Sequence, residues 1–212
     1  MKDLILIDDH VFLRKGIAAY LAEHGGWRVV AEGESMDDLP SIIEQFGKKD
    51  REKTPIAVVD IQLKGDDGSA IASNGYMAVR MLLDAGIRSV VFSSHDTGAC
   101  IEKAMGAPVG ARGFVSKVSN ESMLLHALDT VASGRTFIQP DLAVDVLETR
   151  SALSVLTKRE RQTVRLIAEG LSNEDISAAL GIKITTLENY VSVIYDKLGC
   201  KNRAELIKKL GL

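Results

Sequence analysis

Pro55-Ile56-Ala57-Val58-Val59-Asp60 is an apolar run, rich in β-branched residues, that stops on a carboxylate. A run of this kind reads as a strand buried on both faces, as in a parallel sheet. Its last residue then projects from the carboxyl edge of the sheet, where open α/β folds place their chemistry. Asp60 is therefore the point from which the rest of the chain is read.

Towards the amino end, Leu4–Ile7 is a short apolar strand that ends in Asp8-Asp9. Phe12, Leu13, Ile17, Tyr20 and Leu21 give Val11–Glu23 a helical spacing, broken by Gly25-Gly26. Trp27–Ala31 reads as a second strand, and Ser35 can cap a helix to about Phe46. Gly47–Lys53 is a charged loop leading into the central run.

Beyond Asp60, an acidic, Gly-containing loop at Lys64–Ser69 extends towards Asn74, and a helix is expected from about Gly75 to Ala85. A fourth strand, Arg88–Phe92, finishes at Ser93-Ser94, and a short helix follows near Ala99–Met105. A fifth, Arg112–Val115, ends at Ser116-Lys117. Asn120 can cap a last helix carrying Met123, Leu124, Leu128 and Val131, stopped by Gly134. Strand and helix thus alternate five times over residues 1–134. The expectation is an α/β domain with a five-stranded, doubly wound parallel sheet.

Residues 135–155 read as a linker in which Pro140 starts a short helix through Leu147. Strand signals then stop, and residues 156–212 read as an all-α domain of four helices. Thr157-Lys-Arg-Glu160 is a capping box for the first, and Gly170 its stop. Ser172–Asp175 opens the second, which ends before Gly181; the third runs from about Thr185 to Leu198; Asn202–Glu205 opens the fourth.

The two parts differ in charge. Residues 151–212 hold 10 Lys+Arg against 7 Asp+Glu, whereas residues 1–150 hold 16 against 22. An acidic front and a mildly basic back imply modules with different partners. No apolar run approaches the ~18 residues of a membrane span, and the first residues enter a strand with no signal-peptide pattern. A cytoplasmic protein without a membrane partner is expected, with Cys100 and Cys200 as separate reduced thiols.

Four strand ends bring polar groups to one edge: Asp8-Asp9, Asp60, Ser93 and Lys117. Any one of them alone could be a helix cap or a surface charge. Together they specify a chemistry. Clustered carboxylates repel unless a cation neutralises them, and three acids beside one lysine suit a hard divalent ion such as Mg²⁺. A carboxylate can act as a nucleophile towards phosphorus. Metal, ammonium and hydroxyl would then stabilise the transferring phosphoryl group.

At these residues the chain resembles the receiver domain of two-component response regulators, a flavodoxin-like fold, over residues 2–134. The resemblance implies that Asp60 accepts a phosphoryl group from the phosphohistidine of a sensor histidine kinase. It implies that Asp9 binds Mg²⁺ directly, Asp8 through water, and that the backbone carbonyl of Gln62 completes the site. Ser93 and Lys117 would contact the phosphoryl oxygens, and Phe114 would be the aromatic that reorients on activation. Lys64 stands where the family usually has proline, residues 65–74 read as an insertion, and Gly106–Val109 as added residues before the fifth strand. His10 is read as the start of the first helix rather than as a ligand.

Residues 156–205 resemble the helix-turn-helix of the LuxR or NarL/FixJ type. The resemblance lies in Leu156-Thr-Lys-Arg-Glu160, Ala168–Asn173, Ile176, Leu180-Gly-Ile182, Thr186, Lys197-Leu-Gly199 and Arg203-Ala-Glu-Leu206. It implies that the third helix enters the major groove of double-stranded DNA. Leu187, Tyr190, Val191, Ile194 and Leu198 share one face and should be core. The outward face is then Glu188, Asn189, Ser192, Val193 and Asp196. Asn189 can read adenine and Glu188 can accept from cytosine.

Thr185–Glu188 is also a capping box, which would give Glu188 a structural role. With Lys183 at the usual cap position, the helix would begin late. Phosphate contacts would come from Lys183, Lys197, Lys201 and Arg203, with Lys158 and Arg159. So few charges favour a homodimer on two half-sites, and the family's dimer contact falls on the last helix, with Leu206, Ile207 and Leu210.

The expected function is a transcription regulator whose DNA binding is controlled by phosphorylation at Asp60. Its only expected catalysis is Mg²⁺-dependent self-phosphorylation from a phosphodonor and slow autodephosphorylation. The alternative, suggested by the acidic outward face, is a regulator that acts through a protein partner or RNA polymerase and has little DNA affinity of its own.

Overall fold

Ile56–Val59 forms a strand, β3, with all four residues buried. The computed structural model describes residues 1–47, 54–64 and 70–210. They fall into two compact units, Met1–Asp96 with Ile101–Leu142, and Thr97–Cys100 with Ala143–Leu212. No helix among the described residues is long and apolar enough to cross a membrane.

In the first unit β3 pairs in parallel with β1 (Lys2–Ile7), which pairs with β2 (Trp27–Gly33). Two short strands, β4 (Leu63–Lys64) and β5 (Ala70–Ile71), pair antiparallel outside the main sheet. On its other side β3 pairs with β6 (Arg88–Ser93), and β6 with β7 (Gly113–Ser116). The order of the sheet is β2-β1-β3-β6-β7-β8. It reverses between β1 and β3, so Asp8-Asp9 and Asp60 flank the crevice where doubly wound sheets bind ligands.

The pleat sends alternate residues to opposite faces. Leu4, Leu6, Ile56, Val58, Val90, Phe92 and Val115 cluster with Ile17 and Leu21 of α1 (Val11–Gly25) and with Leu124, Leu128 and Val131 of α5 (Glu121–Ala132). The intervening Ile5, Ile7, Ala57, Val59 and Val91 are also fully buried. On that account α2 (Leu39–Phe46), α3 (Ala72–Asp84) and α4 (Gly98–Met105) complete the alternation, with α3 packed on β3 and β6. Each buried Val, Leu or Ile contributes about 1.5–3 kcal/mol, and strands covered on both faces need no alternation in sequence.

Several boundaries differ from the sequence expectation. The sheet has six strands rather than five, because Phe137–Ile138 (β8) adds in parallel to β7. Its backbone is held by Phe137 N–H to Arg112 O and Gln139 N–H to Phe114 O. Two residues are too short to carry a periodic signal. The charged loop read at Gly47–Lys53 and the acidic loop read at Lys64–Ser69 fall on 48–53 and 65–69, which lie outside the described residues. Beside the second of these, α3 begins three residues earlier than expected.

In the second unit, α6 (Ala143–Ser154) runs past the expected end at Leu147. Four helices follow: α7 (Lys158–Ala168), α8 (Asn173–Leu180), α9 (Ile184–Leu198) and α10 (Arg203–Leu210). Leu156, Val164, Ile167, Ile176, Leu180, Leu187, Ile194, Leu198, Leu206 and Leu210 make their common core. Thr157 forms the expected capping box, Ser172 forms a second one with Asp175 at the expected start of α8, and Gly181 turns between α8 and α9 with φ 64°, a conformation that costs glycine little.

Candidate functional site

The strand ends of the first unit are tied together by their backbones. Asp8 N–H donates to Gly33 O (3.0 Å), Asp60 N–H to Ile7 O (2.9 Å) and Lys117 N–H to Ser93 O (2.9 Å). Asp8, Asp60 and Ser93 are buried, and Phe114 is wholly enclosed on β7. The Lys117 ammonium sits 2.6 Å from both Asp8 Oδ2 and Asp60 Oδ2. Gln62 N–H donates to Asp60 Oδ1 (3.2 Å), and Ser93 Oγ accepts from His95 N–H (3.1 Å). An open cleft lined by His10, Val11, Phe12, Leu13, Ser94 and Lys117 leads to the ammonium.

Gly75 lets α3 close over this edge. A Cβ there would collide with the carbonyls of Asp60 and Ile61, and Gly75 N–H donates to Ile61 O (3.0 Å).

Charge explains why these groups tolerate burial. Burial alone would pull the Lys117 pKa down, but its bonds to Asp60 and then Asp8 outweigh burial and hold it above the ordinary lysine value. One ammonium does not balance three acids. Asp8, Asp9, His10 and Asp60 each offer a donor atom, all within 4.8 Å of one another. The carboxylates are hard oxygen donors, and excess negative charge so confined suits a small divalent cation. The residues present therefore fit a metal of that class. His10 is indeed the residue before α1, but its Nδ1 also lies 3.0 Å from Asp8 Oδ1 and 2.7 Å from Asp9 Oδ1.

The sequence reading passed over three features around this edge. Arg14 is buried in the first turns of α1 and binds the Asp8 carbonyl, Glu32 Oε2 (2.9 Å) and Glu34 Oε1. Asp96 Oδ2 accepts from Ser116 Oγ (2.6 Å). Gln139, just after β8, accepts from Ser116 N–H (3.0 Å) and donates to Asp141 Oδ2 (3.0 Å). Arg14 had a visible signal: it stands with Ile17 and Leu21 on the buried stripe of α1, where an unpartnered charge would be costly.

In the second unit α9 starts at Ile184, with Lys183 as its cap residue and no side-chain cap bond. Thr185 is therefore inside the helix, and the Thr185–Glu188 capping box is not formed. The helix begins no later than usual, because the αL turn at Gly181 and the backbone bond from Leu187 N–H to Lys183 O (3.1 Å) set its start. Glu188, Asn189, Ser192, Val193 and Asp196 are exposed, as are Lys183 and Lys201.

Two of the expected phosphate-binding cations are engaged within their own unit. Lys197 Nζ lies 2.9 and 2.7 Å from the two carboxylate oxygens of Glu160. Arg203 Nη2 donates to Ile167 O (2.9 Å), in the last turn of α7, and to Leu171 O (2.8 Å), in the turn between α7 and α8. Leu206 and Leu210 of the expected dimer stripe are buried in the unit's own core, and Ile207 is half-buried.

Lys197, then the Thr157 N–H, hold the Glu160 carboxyl below the usual glutamate range. Stability from a depressed carboxyl is complete above its unfolded value and is lost as pH falls through the folded one. Glu160→Gln is therefore expected to weaken the second unit at neutral pH, with the deficit shrinking progressively as pH falls below the unfolded glutamate value, about 4.3. Urea unfolding by circular dichroism at pH 7 and at pH 3.5 measures this; an equal deficit at both would show that the charge is irrelevant.

Comparison with known proteins places this geometry. Residues 154–210 match the bacterial regulatory proteins of the luxR family. The transcriptional regulatory protein UhpA is 32% identical in Salmonella typhimurium and 31% in Escherichia coli K12, in both cases over 99% of this chain and 98% of the relative. A crystal structure of a LuxR-family two-component response regulator from Aurantimonas is 27% identical, with a TM-score of 0.58 over 70% of this chain and 97% of its own. RcsB from Salmonella enterica serovar Typhimurium, bound to promoter rprA in the presence of phosphomimetic BeF3-, is 23% identical and shares the fold with a TM-score of 0.67, over 99% of this chain and 98% of its own. With whole-length identity of this order and a LuxR-type module at its carboxyl end, the chain belongs to the NarL/FixJ family of two-component response regulators.

Proposed function

We propose that phosphorylation of Asp60 by a sensor histidine kinase controls the binding of this protein to double-stranded DNA, and through it transcription. An Asp60 oxygen attacks the phosphorus of a donor phosphohistidine. The O–P bond forms as the P–N bond breaks, and the imidazole leaves with the electron pair. Asp9, Asp60 and the Gln62 carbonyl would hold Mg²⁺, with Asp8 through a water. When bound, the ion neutralises charge on the transferring oxygens. Lys117, already against Asp60, and Ser93 on the adjacent strand end answer the charge of the phosphoryl group, and Phe114 is the aromatic that responds.

The observation that carries this reading is the Lys117 ammonium at 2.6 Å from both Asp8 and Asp60 at the switch point of the sheet. A phosphoryl group, close to two negative charges, would compete for that ammonium and alter the strand end that carries it.

On the DNA side, α9 enters the major groove. Glu188, Asn189 and Ser192 face the bases, with Lys183, Lys197, Lys201 and Arg203 around them, and a homodimer spans two half-sites. Gel-shift titration with and without acetyl phosphate and Mg²⁺ tests the whole. Tighter binding on phosphorylation in the wild type, absent in Asp60→Asn, is the expected result; equal binding by both proteins in every condition would sink it.

The acidic face of α9 and the engagement of Lys197 and Arg203 within the fold favour a second reading, a regulator that works through a protein partner. Salt separates the two. Each phosphate neutralised contributes about −0.9 to the slope of log K against log salt, and a flat, weak response supports the partner reading.

A further inference from the structure

We propose that Arg14 is a positioning residue for the metal-binding acid pair, holding the peptide that joins Asp8 to Asp9. The inference rests on the reading of Asp8, Asp9 and Asp60 as a Mg²⁺ site. Asp8 is held from both sides: its N–H donates to Gly33 O (3.0 Å), and its carbonyl accepts from Arg14 Nη1. That carbonyl belongs to the same planar unit as the Asp9 N–H. Fixing the oxygen therefore fixes the direction in which the chain leaves towards Asp9, and with it the Asp9 carboxylate.

The same guanidinium binds Glu32 and Glu34, which flank Gly33 at the end of β2. One side chain thus ties together the ends of β1 and β2 and the first turns of α1. Side chains on a helix lean towards its amino end, so a residue one turn into α1 is placed to reach back to Asp8. The Arg14 side chain is only 5% exposed. A buried ion pair is weak evidence for stability, whereas groups that orient metal ligands have a direct role in affinity.

Charge and position make opposite predictions. If Arg14 acted only as a nearby positive charge, removing it would tighten the binding of a cation. If it holds the Asp8–Asp9 peptide, removing it weakens binding. Calorimetric titration of the full chain with MgCl₂ measures the difference. Arg14→Met is expected to raise the Mg²⁺ Kd about 10-fold or more, with Arg14→Lys in between. Arg28→Met, which removes a cation paired with Asp3 at the far end of β1, is expected to leave Kd unchanged.

Phosphorylation by acetyl phosphate in Arg14→Met should recover at saturating Mg²⁺, since the reacting groups are intact. If Arg14→Met does not fold, Arg14→Lys keeps the positive charge but loses the fork that joins the Asp8 carbonyl to Glu32 and Glu34; charge alone then predicts an unchanged Kd, whereas the positioning role raises it about two- to five-fold, below the range for a direct loss. An unchanged or lower Kd in the folded variants overturns the positioning role alone. Absence of Mg²⁺ binding by the wild type overturns both this role and the metal reading beneath it.

Discussion

Lys117→Met is expected to destabilise the first unit by about 3–5 kcal/mol in EDTA at neutral pH, as when one partner of a buried ion pair is removed. Most of that loss should be recovered in Mg²⁺. Lys117 is the ammonium set against both Asp8 and Asp60, whose side chains are 7% and 4% exposed. Without it the carboxylates face one another with no fixed cation, and each disfavours the ionised form of the others. A divalent ion replaces the missing charge, so the variant should bind Mg²⁺ more tightly than the wild type while failing to transmit phosphorylation to DNA binding.

The pH dependence of the wild type has a defined sign. The Lys117 pKa is raised in the fold, so its contribution is complete below the unfolded lysine value, about 10.4, and is lost as pH rises through the folded one. Thermal unfolding in EDTA and in Mg²⁺ is the measurement. A variant as stable as the wild type in EDTA would mean that Lys117 does not compensate the acids.

Glu188 is the site of the second large effect. It is one turn inside α9, exposed, and released from the capping role that its sequence context suggests. An acid on a groove-facing helix repels phosphate and accepts from the cytosine amino group. Glu188→Ala is therefore expected to bind random DNA more tightly and its own half-site less selectively. The loss of discrimination should amount to about 1–3 kcal/mol at one cytosine. Selection from random DNA, wild type against variant, reads both changes. An unchanged selected sequence would remove Glu188 from base recognition.

The residues that sequence reading placed well share a property. Ile56–Asp60, the Asp8-Asp9 pair and Ser93 stand at the ends of apolar runs, and Thr157 and Ser172 open boxes whose partners lie three residues away. Such signals are local or periodic. The helix-start error at Thr185 was also local: two sites for a start compete within one turn, and packing of the preceding αL turn chose Lys183. The sixth strand, two residues long, has no sequence signature, because its pairing depends on where β7 already lies.

Composition and short-range pattern were thus enough to specify a doubly wound sheet, acids at its carboxyl edge and a helical module behind it. Burial of apolar runs and the rules of connection leave few other arrangements. Which charges are committed, and to what, was decided only on folding. Lys117 reaches Asp60 across 57 positions, Lys197 reaches Glu160 across 37, and Arg203 reaches Ile167 across 36. Arg14 meets Glu34 across 20. Partners that far apart share no period, and only the packed chain gives a buried charge one place to go.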